Sequence, residues 1–180
     1  MQDADLLVAL AGIAGVFVGF GALISTRDAD ASELWLIRNV VNGGLLVVAA
    51  ALVPVVIARY DLAGLELWRL CSLILLALDW AVILLLHTRR EHMAMLVLQT
   101  RAARAALAST ILVLEAPAQT ALILVVLGLF PDLEPALYLT AVVLLLFEAA
   151  VILVMLVYTQ GRPATATDQA AALATGGSSA

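Results

Sequence analysis

Three carboxylic acids, Asp79, Glu115 and Glu148, stand inside long apolar runs of this 180-residue chain and are the side chains best placed to do chemistry. An ionised carboxylate in hydrocarbon is costly. An acid found there is therefore either protonated, donating a hydrogen bond between helices, or part of a hydrated path for protons or cations. Neutralisation by a basic neighbour is not expected: Arg38 and Arg104 fall at the inner edges of their segments and Arg69 at the outer end of its own. Asp79 lies seven residues before Leu86, Glu115 eight after Leu107 and Glu148 ten before Tyr158. At about 1.5 Å of helical rise per residue, those separations put the acids roughly 10, 12 and 15 Å above one membrane edge. The spacing predicts a single polar layer, with Glu115 presented by a kink at Pro117, Trp80 flanking Asp79, and at least one proton retained at neutral pH because like charges cannot all ionise together in a low dielectric.

Other chemistry finds little support. No nucleophile stands near a base in any recognisable pattern. His87 and His92 are five residues apart and do not share a helical face, so neither metal nor haem is expected there. The chain has no Lys, which excludes a Schiff base to retinal or pyridoxal phosphate. Cys71 is the one cysteine, sits in an apolar run and is expected to be a small core residue. The expectation is a non-enzyme with no cofactor and no nucleic-acid partner.

The elements that must position the acids follow from composition. Apolar residues make up 64% of the chain and charged residues 13%, against about 25% charged in an ordinary soluble domain, and the mean hydropathy is +1.11. A spanning helix needs roughly 20 apolar residues to cross about 30 Å of hydrocarbon. Five runs qualify: residues 6–24, 40–58, 67–86, 107–129 and 136–158. The reading is an all-α integral membrane bundle of five transmembrane helices over residues 1–158, followed by a disordered tail at 159–180 made of Ala, Thr, Gly and Ser. Asp3 and Asp5 ahead of the first run, and no small-residue cleavage motif after it, argue against a signal peptide.

Orientation comes from arginine. With the N-terminus outside and the C-terminus cytoplasmic, Arg27, Arg38, Arg89, Arg90, Arg101, Arg104 and Arg162 face the cytoplasm, and only Arg59 and Arg69 do not. The acidic turn Pro131-Asp132-Leu133-Glu134-Pro135 then falls outside. Tyr60, Trp68 and Tyr138 mark outer helix ends and Trp35 and Tyr158 inner ones, with Trp80 the exception.

Ala11, Gly15 and Gly19 recur every four residues, forming a face on which a neighbouring backbone can approach closely, whether from this chain or from a second protomer. Asn42 is expected to bond across to another helix, and Pro54 and Pro117 to kink theirs. The stretch from His87 to Ala106 has no Gly or Pro and is expected to continue as helix. On it Arg89, Arg90, Arg101 and Arg104 would share an arc of roughly 120°, suited to anionic lipid headgroups.

Val18-Gly19-Phe20-Gly21 ahead of Arg27, Leu34-Trp35 with Arg38, Leu52-Val53-Pro54, and Leu67-Trp68-Arg69-Leu70 resemble a broad group of uncharacterised small bacterial multi-span membrane proteins. The resemblance covers roughly the first half of the chain and implies a multi-pass protein of the bacterial inner membrane. Two functions fit: a non-catalytic structural or accessory subunit whose partners are membrane lipids and other transmembrane helices, in a homo-oligomer or a larger complex; alternatively a small oligomeric channel or proton/cation pathway using Asp79, Glu115 and Glu148.

Overall fold

The computed structural model describes residues 4–25, 31–60, 64–88 and 101–160. Five helices dominate it: α1 (Ala4–Ile24), α2 (Ala31–Ile57), α3 (Leu65–Thr88), α4 (Arg101–Val126) and α5 (Glu134–Gln160), with short 3₁₀ turns at Ala58–Tyr60 and Pro131–Leu133. No strand occurs among the described residues. Each helix is long and apolar enough to span a membrane, as expected where a lone segment must satisfy its own backbone without water. Several helices overshoot their apolar runs, because good helix formers such as Ala, Glu, Leu and Arg carry the backbone on past the hydrophobic boundary. Arg27, Arg89, Arg90, His92 and the residues beyond Gln160 lie outside the described residues, as do the side chains of Trp35, His87, Arg101 and Arg104.

Helices α2 and α5 pack together; α1 lies against both, and α3 against α2, α4 and α5, with α4 closing on α5. Leu7, Val47, Leu75, Leu122, Val125 and Val142 are among the buried residues of the main core. Leu36, Val40, Ile152 and Leu156 fill a second cluster at the other end of the α2–α5 seam. Outside, Val16, Leu84, Val113, Phe147 and Val157 are all more than half exposed. An exterior this apolar suits lipid and not water.

The expected packing face of α1 is not where α1 meets the rest of the chain. Gly15 and Gly19 are exposed, and a Cβ added at either would meet nothing within 4 Å. Helix α1 buries Leu7, Leu10, Ala14 and Gly21 instead; Ala11 lies half-buried at the rim of that face. The close approach is supplied from both sides: a Cβ on Gly44 of α2 would lie 2.6 Å from Val18 Cγ2 and 3.2 Å from the Ala14 carbonyl, and one on Gly21 would lie 2.8 Å from Val41 Cγ2. Small residues do bring two helices together here, but on a face turned from Gly15 and Gly19. Asn42 is half-buried on α2.

Pro54 and Pro117 both sit inside continuous helices. Pro54 has no N–H to give the carbonyl four residues back, that of Ala50. Tyr138 of α5 fills the gap: it is fully buried, and its hydroxyl donates to the Ala50 carbonyl oxygen at 2.7 Å. Its ring packs on Trp68, centroids 5.5 Å apart at 50°. Tyr138 and Trp68 are thus packed inside the bundle near the starts of their helices, whereas Tyr60 and Tyr158 are exposed at helix ends.

Helix α4 stops at Val126, three residues short of its apolar run, because Gly128 takes φ +64°. The Gly128 N–H bonds to the Val125 carbonyl and the Leu129 N–H to that of Leu124, a Schellman pattern that a Cβ would strain. Turn and 3₁₀ segment together deliver Glu134 to the first turn of α5.

Candidate functional site

Asp79, Glu115 and Glu148 come together where α3, α4 and α5 meet. On α3, the buried residues Leu67, Trp68, Cys71, Ser72 and Leu75 repeat at helical spacing, and Asp79 continues that inward face at 4% exposure. On α4, Glu115 and Gln119 are one turn apart beside buried Ala118 and Leu122, and residues four apart on a helix are neighbours. On α5, Glu148 follows buried Leu145 and precedes buried Ala149.

Gln119 joins the parts. Its Nε2 donates to Glu115 Oε1 at 2.7 Å and also to Asp79 Oδ2, so both amide hydrogens are used and α3 is tied to α4. Glu148 reaches in from α5 to within side-chain hydrogen-bonding range of Glu115, with Asp79 as a further carboxyl neighbour. Asp79 is likewise within hydrogen-bonding range of Glu115. Carboxyls this close to one another in a low-dielectric interior repel when ionised. Glu148 Oε2 and Gln119 Oε1 are buried without a hydrogen-bond partner. The arrangement gathers three acidic side chains and one amide at a single buried level of the bundle. Among the described residues, no group of three or more His, Cys, Asp and Glu is placed to hold a metal ion.

Two expected accessories lie elsewhere. Trp80 is 55% exposed and points outward, since consecutive helical residues diverge by about 100°. Pro117 is exposed on the side of α4 opposite Glu115 and Gln119. Thr120 is also exposed and gives its hydroxyl to the Ala116 carbonyl of its own helix at 2.7 Å.

A second polar site escapes a reading by composition. Glu134, in the acidic turn expected on the outer side of the membrane, is fully buried, and Arg69 Nε donates to its Oε1 at 2.9 Å. The guanidinium, itself half-exposed, lies across Gly128, where an added Cβ would come within 2.7 Å of Arg69 Cζ. The glycine thus serves the turn and also leaves room for the cation. Asp132, two residues earlier, is exposed. The available sequence signal was one acid and one Arg, each beside an apolar run.

No protein-family model, curated protein or solved structure matches the chain.

Proposed function

We propose that this chain is a non-catalytic, multi-pass integral membrane protein of the bacterial inner membrane whose working part is a proton-binding cluster formed by Asp79, Glu115, Gln119 and Glu148. The N-terminus lies outside and the C-terminus in the cytoplasm, a reading supported by the distribution of Arg along the sequence. Membrane lipids cover its exterior, and further transmembrane helices, from copies of itself or from a larger complex, are its protein partners. The observation that carries the reading is the meeting of three carboxyls from three helices, two of them joined by the Gln119 amide. The cluster supports a proton or cation pathway.

A second reading, that of a structural or accessory subunit, is favoured by the two bonds of Gln119, which knit α3 to α4 whether or not a proton moves. Proton flux into liposomes with an entrapped pH-sensitive dye separates the two. Flux should be present in the unaltered protein and fall at least roughly tenfold in Glu115→Gln and Asp79→Asn, one decade for each 1.4 kcal/mol of lost barrier reduction, with stability little changed because an amide keeps the shape. Absence of flux in the unaltered protein, together with a large loss of stability in both variants, leaves the cluster as structural glue.

A further inference from the structure

Among the described residues, the buried side-chain atoms without a hydrogen-bond partner are Ser72 Oγ, Gln119 Oε1, Glu134 Oε2 and Glu148 Oε2. All belong to α3, α4 and α5; none is on α1 or α2. Each such atom is costly to bury, so their confinement to one three-helix seam calls for a reason. Gln119 and Glu148 belong to the acid cluster. Ser72 and Glu134 do not, and both are 0% exposed.

Position along the helices puts these atoms in order. Ser72 precedes Asp79 by seven residues, two helical turns, so both side chains leave the same side of α3 about 10 Å apart. Arg69 is three residues before Ser72 and holds Glu134. On α5, Glu134 and Glu148 are fourteen residues apart, again on one side, about 21 Å along the axis. From the half-exposed guanidinium of Arg69 the sequence of polar groups is thus Glu134, Ser72, then Asp79 with Gln119, Glu115 and Glu148.

We propose that this seam is the route by which protons reach the acid cluster from the membrane face where Arg69 lies, with the Ser72 hydroxyl as its relay. The proposal rests on the reading of the cluster as protonatable. Glu134 Oε2 lies at the entrance, next to a cation that is open to solvent. A hydroxyl suits the middle station because it accepts a proton on its lone pair while releasing its own to the next acceptor, ending chemically unchanged. The proposal requires water to bridge the two turns of α3 between Ser72 and Asp79, about 10 Å of axial rise, past buried Leu75.

Infrared spectroscopy of the protein in lipid vesicles, transferred from H₂O to D₂O, tests the route without requiring net flux. The protonated-carboxyl C=O band of the cluster should shift quickly in the unaltered protein. In Ser72→Val and Ser72→Ala the shift should be slowed roughly tenfold or more; Ser72→Thr, which restores a hydroxyl, should exchange at the original rate. Leu73→Ala, on the exposed face of α3, should have no effect. The amide bands and the position of the carboxyl band report whether each variant is folded, and the alanine variant serves where the bulkier valine disturbs packing. Unchanged exchange in both Ser72→Val and Ser72→Ala overturns the route while leaving the cluster reading intact. An unaltered protein with no protonated-carboxyl band overturns the cluster reading, and the route with it.

Discussion

Removing the Tyr138 hydroxyl should destabilise the bundle by an amount that depends on residue 54. Tyr138 donates at 2.7 Å to the Ala50 carbonyl, deep in the core, and that carbonyl lacks its helical partner because residue 54 is proline. Tyr138→Phe keeps the ring against Trp68 and takes away only the donor. A buried acceptor left alone costs about 1–3 kcal/mol in general, while interhelical hydrogen bonds in membrane bundles average about 0.6 and reach about 1.7 kcal/mol. With no other donor available to Ala50, the expected cost lies toward the upper end, about 1.4 kcal/mol, or about tenfold in the folding equilibrium. In a Pro54→Ala background the restored N–H serves the same carbonyl, and Tyr138→Phe should then cost under about 0.5 kcal/mol, leaving a coupling of about 1 kcal/mol between the two positions. Reversible unfolding in mixed detergent micelles, followed by far-ultraviolet circular dichroism, measures all four corners of the cycle. Equal cost of Tyr138→Phe in both backgrounds would refute the claim that tyrosine substitutes for the missing proline donor.

Other substitutions test neighbouring contacts. Gly44→Leu should destabilise by about 1–3 kcal/mol, the usual range for overpacking, because its side chain would run into Val18 and the Ala14 carbonyl; Gly15→Leu should leave monomer stability unchanged, and thermal unfolding of both variants decides between that and the small-residue face expected from the sequence. Arg69→Met should cost about 3–5 kcal/mol by stranding the Glu134 carboxylate, while Arg69→Met combined with Glu134→Leu should recover most of the loss; a double variant as unstable as the single would show that the charges contribute little. A reporter fused after Ala180 should be active only in the cytoplasm and one inserted at Asp132 only outside, and a C-terminal reporter active outside would overturn the proposed orientation.

The sequence is most informative about distance along each helix and least about direction around it. Five spans follow from run length, and the common depth of Asp79, Glu115 and Glu148 follows from helical rise, since both are axial quantities. Azimuth is hidden because lipid is as apolar as a core of Leu and Val, so a spanning helix need not show a polar outer face. Gly15 and Gly19 have the spacing of a packing surface, yet Gly21 and Gly44 occupy one. Tyr138 has the composition of an interfacial residue. Its interior place depends on a carbonyl freed 88 positions earlier in the chain, a relation that no local pattern contains. Gln119 was the nearer miss: its spacing of four from Glu115 was visible, but its second bond, to Asp79, depends on how α3 and α4 turn toward each other.

The Arg69–Glu134 pair also has a consequence in time. The partners are 65 positions apart, so α3 leaves the ribosome with its cation while the matching carboxylate is still unmade. Until then the long arginine stem can extend its charge to the headgroup region, and the α3 end stays anchored near water. Only when α4 has crossed and the Gly128 turn has formed does Glu134 arrive to draw the guanidinium in. The pairing that neutralises Arg69 also fixes how far α5 can slide against α3, and so holds Glu148 within reach of the cluster. A nascent chain halted before Glu134 would hold neither the register nor the acid cluster, which makes the cluster a product of completed synthesis.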